Sequence, residues 1–166
     1  TPKPSSAASD VYKRQLISNP ITSEHTVLRQ YILPSLLRLL AANRHHELPQ
    51  RVYELGVVVR DFNNCQRGAW TCAEVGSGFT ASKGIAQALI RDLGAGDDNV
   101  EFLPTEQGHG PWITGRGSHI MIKGRSIGEF GEIDPDVSGK FGIKAPIQAG
   151  EIDLEVVSSL IPDPLS

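Results

Sequence analysis

Cysteine and methionine are scarce in this chain of 166 residues, and each shortage limits what the protein can be. The two cysteines, Cys65 and Cys72, are separated by six residues, a spacing that fits neither a zinc-ligand motif nor a disulfide framework. We therefore expect a reduced, cytoplasmic protein. The single methionine is Met121, so the sequence does not begin where translation begins, and we interpret it as a fragment or a processed piece.

Long hydrophobic runs and an excess of basic residues are also missing. No stretch approaches the roughly 20 apolar residues that cross a bilayer, and the N-terminus lacks the layout of a signal peptide. The formal net charge of −3 gives no electrostatic reason to expect nucleic acid as a direct ligand. What is present, 39% hydrophobic and 21% charged residues, is typical of one globular domain.

The first fifteen residues, "TPKPSSAASDVYKRQ", have low complexity and no apolar periodicity. Their last six residues can be back-translated into the transposon end that is used in sequencing-library adapters. We therefore expect residues 1–15 to be a read-through artefact or a disordered tail. Residues 16–166 are expected to form one domain.

The remaining pattern predicts a mixture of helices and short strands. Pro34 can occupy the first turn of a strongly apolar helix, and residues 80–94 predict a second helix with Thr80 near its N-cap and Gly94 as its stop. Ile85, Leu89 and Leu93 would form the buried stripe of that second helix. Predicted strands cover residues 51–59, 69–75, 100–103, 118–122, 126–130 and 146–155, with a hairpin turn at 123–125. This order favours an α+β fold with a largely antiparallel sheet.

Five carboxylates lie in or beside the glycine-rich stretch "GEFGEIDPDVSGKFGI": Glu129, Glu132, Asp134, Asp136 and Glu151. Such a cluster can bind a metal, move protons or cap a helix. Asp134 followed by Pro135 and a further acid is typical of a helix start, Val137 and Phe141 would form its buried stripe, and Gly142 would end it.

Helix capping explains these acids without a ligand. Glu129 and Glu132 are three residues apart in a predicted strand, so they face opposite sides of the sheet and are poorly placed to share a metal. One alternative stays open, a stand-alone metal-dependent enzyme that uses Glu132, Asp134 and Asp136.

Other candidate residues give weaker signals. We interpret His45 and His46 as a solvated helix end, and His109 and His119 have a spacing without a metal signature. Ser118 beside His119 lacks a visible third member of a catalytic triad. Residues 115–117 lack the Lys-Ser/Thr of a phosphate loop, whereas residues 76–84 place glycines before a helix N-terminus that could hold an anion, although helix entry alone explains them.

Three long blocks of the sequence resemble the β subunit of phenylalanyl-tRNA synthetase in its archaeal and eukaryotic form. They are "SNPITSEHTVLRQYILPSLLRLLAANRHHELPQRVYELGVVV", "GFTASKGIAQALIRDLG" and "ITGRGSHIMIKGRSIGEFGEIDPDVSGKFGIKAPIQAGEIDLE". The blocks occur in the order of the family and cover nearly everything after Leu16.

The resemblance implies a class II aminoacyl-tRNA synthetase-like fold, an antiparallel sheet with flanking helices. It implies that the α subunit carries the working site, while this module is a degenerate copy that helps to build the heterotetramer. The predicted strands and the helix "LPSLLRLLAAN" would support the interface with the α subunit. The assembled enzyme would join phenylalanine to tRNA(Phe) with ATP and Mg²⁺, and neither cofactor is expected on this fragment. The resemblance places editing and a metal-binding region in earlier parts of the β subunit.

Arginines decide whether the copy could work. A working class II site needs one arginine after its central strand and a second near the end of the domain, because both neutralise phosphate charge. Arg60 stands at the first position but is followed by Asp61 and Phe62 instead of the expected Glu, and no Lys or Arg follows Lys144. We therefore assign no catalytic, cofactor-binding or metal-binding residue, while a vestigial ATP site around Arg60 stays a third possibility.

Overall fold

A six-stranded antiparallel sheet forms the centre of the structure, a computed structural model that describes residues 15–16 and 27–161. The α+β prediction is therefore confirmed. The spatial order of the strands is β3-β4-β8-β7-β6-β5. Their bounds are β3 Gln50–Arg60, β4 Asn63–Ala73, β5 Val100–Pro104, β6 Trp112–Ile122, β7 Arg125–Ile133 and β8 Ile147–Asp153.

A second, two-stranded pairing joins β1 (Gln15–Leu16) to β2 (Val27–Leu28). Apart from Gln15, the predicted tail at residues 1–15 lies outside the described residues. The single domain over residues 16–166 stays a prediction.

Helix α1 (Leu33–Ala42) begins with Pro34 in its first turn, as predicted. Its leucines Leu33, Leu36, Leu37 and Leu40 are buried, because they pack against one face of the sheet. We call this side the α1 face. Leu39 points outward and is 45% exposed, so most of the apolar surface of α1 is used inside the chain.

Helix α2 (Phe79–Asp92) packs against the opposite side of the sheet, which we call the α2 face. Its buried side chains are Ser82, Ala86 and Ile90, with Leu89 partly buried. The predicted stripe was therefore wrong at Ile85 and Leu93, which are each 37% exposed. The small side chains Ser82 and Ala86 let the helix approach the sheet closely. A pattern of hydrophobic residues does not indicate which side of the helix makes such a close contact.

The start of α2 lies close to the predicted position. The N-cap is Gly78, and Thr80 follows it in the first turn of the helix. The backbone at Gly94 is left-handed (φ 97°), which fits the stop that was expected there.

Tight two-residue turns join two pairs of neighbouring strands. Lys123 and Gly124 have φ angles of 49° and 77° and connect β6 to β7, which confirms the predicted hairpin. Asp61 and Phe62, with φ angles of 49° and 64°, connect β3 to β4.

Strands β4 and β6 are longer than predicted, because β4 begins at Asn63 instead of residue 69 and β6 begins at Trp112 instead of residue 118. In both strands the unrecognised half is polar or glycine-rich, which hides the alternating pattern.

Short helices follow the last two strands of the sequence. Helix α3 (Pro135–Lys140) is capped by Asp134, whose side chain accepts a hydrogen bond from the Asp136 amide, and Val137 is buried as predicted. The predicted strand over 146–155 ends earlier, at Asp153. The side chain of Asp153 accepts hydrogen bonds from the amides of Glu155 and Val156 and starts helix α4 (Leu154–Leu160).

The core has an apolar layer on each face of the sheet. On the α1 face, leucines of α1 contact Trp112, Ile133 and Ala149. On the α2 face, side chains of α2 and α4 contact Phe130 and Ile152. In the described part of the chain, no helix has the length and apolarity needed to cross a membrane.

Candidate functional site

A cleft of about 290 Å³ opens on the α1 face, at the N-terminal end of α1. Strands β3, β4, β7 and β8 each bring polar side chains to it. We call it the sheet cleft, and its charged and aromatic lining consists of Tyr31, Arg60, Arg67, Trp112, Glu129, Glu151 and Asp153. Three carboxylates and two guanidinium groups therefore share one concave surface.

Arg67 and Glu151 form a buried ion pair in the wall of the sheet cleft. Arg67 Nε lies 2.7 Å from Glu151 Oε1, and each side chain is only 6% exposed. Arg67 Nη1 also lies 3.8 Å from Asp153 Oδ2. Since a buried charge must be compensated, the guanidinium group is committed to these two acids.

Glu151 also holds the start of α1. Its carboxylate accepts hydrogen bonds from the Ile32 amide at 3.0 and 3.1 Å and from the Leu33 amide at 2.9 Å. The first amides of a helix lack partners within the helix, so a carboxylate there satisfies them. In the sequence Glu151 was one member of the acidic cluster. In the structure its role is to hold the start of α1 and to pair with Arg67.

Arg60 lies at the end of β3 and faces the sheet cleft. Its Nη2 is 3.5 Å from Tyr31 Oη, and its guanidinium carbon is 5.2 Å from the centroid of the Tyr31 ring. Arg67 lies over the same ring at 5.6 Å. Within the described residues Arg60 makes no ion pair, so it is the cation of the sheet cleft that stays available.

Glu129 connects the sheet cleft to a pair of histidines. Its Oε1 is 2.6 Å from His109 Nε2 and 3.5 Å from His119 Nδ1, and its Oε2 accepts a hydrogen bond from Trp112 Nε1 at 3.1 Å. On the other side of the rings, Glu106 Oε2 lies 3.3 Å from His119 Nε2. The pKa of Glu106 is held below its usual value by the backbone amide of Glu106 itself and, next, by His119.

The structure therefore joins two histidines that the sequence left apart. Glu106, His109 and His119 are, within the described part of the chain, the one group of three or more potential metal ligands whose atoms lie within 4.8 Å of one another. Sequence reasoning missed Glu106, Trp112 and Arg67. The one local signal was the spacing of three residues between Glu106 and His109.

The carboxylates of the metal-enzyme hypothesis do not converge in the structure. Glu132 accepts from Arg116 Nη1 at 2.7 Å on the α2 face, whereas Glu129 faces the α1 side. Asp134 caps α3, and Asp136 is exposed. Asp134 caps a helix, as the capping interpretation predicted, whereas the ion pair of Glu132 with Arg116 was not predicted.

The remaining sequence candidates have structural explanations. Ser118 is buried, and its hydroxyl donates to the Leu103 carbonyl at 3.1 Å. Residues 115–117 lie inside β6 at an irregular stretch of pairing, with Gly115 at φ 80°. Residues 76–84 form the entry to α2, and His45 and His46 are exposed beyond the end of α1.

The two cysteines have different surroundings in β4. Cys65 is half-buried and Cys72 is buried, and both thiols are free. Burial raises the pKa of the Cys72 thiol. Beside it, Arg51 lies 3.2 Å from Glu74 and lowers the pKa of that carboxyl group.

An apolar row on the edge strand is the second candidate surface. Tyr53, Leu55 and Val57 alternate along β3 and are 79%, 68% and 47% exposed. We call them the β3 row. Leu55 lies near Leu154 of α4 across Gly68, so the row continues the apolar layer of the α2 face beyond the helices that cover it. Contiguous exposed apolar side chains of this kind indicate an interaction surface.

Two solved aminoacyl-tRNA synthetase structures have an architecture similar to that of this chain. Two structures of pyrrolysyl-tRNA synthetase from Desulfitobacterium hafniense superpose with a TM-score of 0.66 each. They share 16% and 14% sequence identity with the chain, cover 82% and 80% of it, and are themselves covered to 54% and 49%. At this identity the likeness shows the fold alone.

Curated relatives are closer in sequence. The chain is 39% identical to the β subunit of phenylalanine–tRNA ligase from Methanopyrus kandleri over 83% of its own length. It is 38% identical to the corresponding subunits from Methanospirillum hungatei and Pyrococcus furiosus over 85% and 84% of its length. The chain spans about a quarter of these relatives, 24% or 25%.

A family model identifies the part of the subunit to which the chain corresponds. The model described as "Phenylalanyl tRNA synthetase beta chain CLM domain" matches residues 6–154. The chain belongs to the phenylalanyl-tRNA synthetase β-chain family, as a domain of that subunit.

Proposed function

We propose that this chain is a non-catalytic core module of the β subunit, and that it supports assembly with the α subunit of phenylalanine–tRNA ligase. The whole enzyme would charge tRNA(Phe) with phenylalanine in the cytoplasm, using ATP and Mg²⁺. The observation that carries the non-catalytic role is the buried pair of Arg67 and Glu151, because it removes a cation from the sheet cleft.

The lining of the sheet cleft supports this proposal, because it is poorly suited to ATP. A triphosphate needs cations, and the cleft presents the carboxylates of Glu129, Glu151 and Asp153. Arg67 is neutralised by two of these acids, which leaves Arg60 beside Tyr31. Phosphate groups in the cleft would lie close to the Glu129 carboxylate. The attraction to one arginine would not offset the repulsion between their negative charges and this carboxylate.

The assembly role is supported by the β3 row. Helix α1 buries its leucines inside the chain, so it offers a partner only Leu39 among its large apolar side chains. The β3 row instead presents three such side chains on an edge strand of the described sheet, where Arg29 bonds to the backbone only at Val57 and Val59. A partner that covers the row would bury apolar area and pair with the edge amides. We therefore place the contact with the α subunit at β3.

Co-purification of the full-length β subunit with its α subunit tests this assignment. Leu55→Asp should reduce recovery of the heteromer, because it puts a charge into the apolar contact. Val75→Asp is the matched control, since Val75 is also exposed (79%) but lies outside the β3 row. Equal recovery of both variants would overturn the placement at β3.

Three further results bear on the proposal. If Leu55→Asp unfolds the β subunit when it is expressed alone, the row contacts another part of the same subunit and the placement is wrong. A full-length β subunit that stays monomeric beside α would overturn the assembly role itself. Saturable binding of ATP to the chain at millimolar concentration, lost in Arg60→Ala, would overturn the non-catalytic assignment of the sheet cleft.

A further inference from the structure

Two histidine rings lie between two glutamates at the edge of the α1 face. Each carboxylate faces one nitrogen of each ring. Glu106 Oε2 faces His119 Nε2 at 3.3 Å and His109 Nδ1 at 3.9 Å. Glu129 Oε1 faces His109 Nε2 at 2.6 Å and His119 Nδ1 at 3.5 Å. The ring centroids are 5.1 Å apart.

The surroundings of the two glutamates differ. The side chain of Glu129 is 28% exposed and is oriented by the Trp112 indole, whereas the Glu106 side chain is 76% exposed. Glu129 is thus the fixed acceptor. When each ring donates one N–H to Glu129, from His109 Nε2 and from His119 Nδ1, the other nitrogen of each ring carries no proton and has a free lone pair. Those lone pairs, on His109 Nδ1 and His119 Nε2, converge on the Glu106 carboxylate.

We propose that Glu106, His109 and His119 bind one divalent transition-metal ion of the Zn²⁺ type, with Glu129 as a positioning residue. Two imidazoles and one carboxylate are a ligand set that Zn²⁺ takes in proteins, with the remaining position left to water. A carboxylate that does not touch the metal but accepts the other N–H of each ligating histidine is the usual partner of such sites. Here one carboxylate would hold both rings.

The distances fit this coordination with a small movement. Zn–N and Zn–O bonds of about 2.0–2.2 Å at tetrahedral angles put neighbouring ligand atoms roughly 3.3–3.6 Å apart. The carboxylate oxygen of Glu106 is already 3.3 Å from His119 Nε2 and 3.9 Å from His109 Nδ1. The Glu106 side chain, exposed on the loop between β5 and β6, can close its gap to His109, and one ligand atom of each of the three residues already lies within 4.8 Å of the others.

Ligand chemistry selects the class of metal. Imidazole nitrogens suit Zn²⁺, Co²⁺, Ni²⁺ and Cu²⁺, whereas Mg²⁺ prefers an octahedral set of oxygens. The bound ion would join the loop that carries Glu106 and His109 to strand β6. It would thereby stabilise the edge of the sheet next to Trp112 and the sheet cleft.

Titration of the untagged 166-residue chain with Zn²⁺, followed by calorimetry and thermal melting, tests the site. We expect one ion per chain with micromolar or tighter affinity, and a melting temperature that rises with Zn²⁺ and returns with a chelator. Mg²⁺ should leave the melting temperature unchanged. Co²⁺ in place of Zn²⁺ should give a visible absorption spectrum of low-symmetry nitrogen and oxygen coordination.

Variants separate ligands from the positioning residue. Glu106→Gln, at an exposed side chain that the fold does not need, should abolish tight Zn²⁺ binding, and His109→Ala should do the same. Glu129→Gln should keep the binding stoichiometry and weaken affinity by about 10–100-fold, because the ligands lose their orientation. His46→Ala is the matched control, since His46 is exposed beyond α1. This variant should bind Zn²⁺ as tightly as the native chain does.

Any of three results would overturn the proposal. The native chain does not bind Zn²⁺ at micromolar concentration, or Glu106→Gln or His109→Ala binds Zn²⁺ as tightly as His46→Ala does, or the Co²⁺ spectrum equals that of the free aqueous ion. Circular dichroism of each variant confirms that a loss of binding is not a loss of folding.

Discussion

Glu151 is the residue on which the sheet cleft depends. Its one carboxylate compensates the Arg67 guanidinium and accepts the two backbone amides that begin α1. A smaller or neutral side chain would leave a buried charge and two helix amides without their partner at the same time. The ion pair, the helix start and the shape of the cleft are therefore linked through one side chain.

We expect Glu151→Ala to lower the free energy of unfolding by about 3–5 kcal/mol, because it leaves Arg67 buried without its nearest partner. Urea denaturation followed by circular dichroism measures this change. Glu155→Ala, at an exposed glutamate four residues on, is the control and should change stability by less than about 0.5 kcal/mol. Similar losses in the two variants would contradict the structural role of Glu151.

Among the strands, β8 is the most completely buried, with six of its seven residues buried. Gly150 lies in β8 opposite Trp70 of β4, and a Cβ at this glycine would overlap the Trp70 indole. The indole crosses the strand where no side chain stands, and it packs against the apolar layer of the α2 face.

Gly150→Ala should therefore destabilise the chain by about 1–3 kcal/mol, through overpacking against Trp70. Gly139→Ala is the matched control, because an added Cβ there meets no atom within 4 Å apart from its own helix and chain neighbours, and the residue is inside helix α3. The control should stabilise by roughly 0.5–1 kcal/mol, since alanine is the better helix former. Thermal melting compares them, and a destabilised control with an unchanged Gly150→Ala would show that the packing argument is wrong.

Sequence reasoning predicted elements wherever local chemistry decides the structure. Pro34 and Asp134 indicated helix starts correctly, and the Lys123–Gly124 turn was found, because caps and turns depend on adjacent residues. The buried side of α2 was predicted wrongly, because it depends on the close approach of the helix to the sheet and not on adjacent residues.

The histidine cluster could not be found by counting along the hairpin. A regular hairpin around Lys123 and Gly124 would pair His119 with Gly128. A shift in register between Ile120 and Met121 moves the partner of His119 to Glu129. One extra residue in β7 therefore decides which side chain meets the histidine, and a bulge has no reliable sequence signal.

At the scale of the molecule, protection should fall from the middle of the sheet to its edges. Strand β8 lies between β4 and β7, and six of its seven residues are buried. Strands β3 and β5 are the edge strands of the described sheet, and the outer backbone of β3 is bonded to Arg29 only at Val57 and Val59.

Amide hydrogen exchange should therefore be slowest in β8 and fastest, among the strands, in β5 and on the free side of β3. Exchange followed by mass spectrometry gives the order. Adding the α subunit to the full-length β subunit should slow exchange in β3 and leave β5 unchanged, so β5 serves as the internal control. Equal protection of β3 with and without α would contradict the proposed contact.

The position of β8 also has a consequence for synthesis on the ribosome. It is the last strand of the sheet to emerge, yet it lies between β4 and β7. Until it arrives, the β3–β4 hairpin and the β5–β6–β7 unit are separate, and each has an unpaired edge where β8 will insert. Assembly of the sheet during synthesis thus depends on β8. Interruption of translation before Ile147 would release a product with two unpaired strand edges, and such edges favour aggregation.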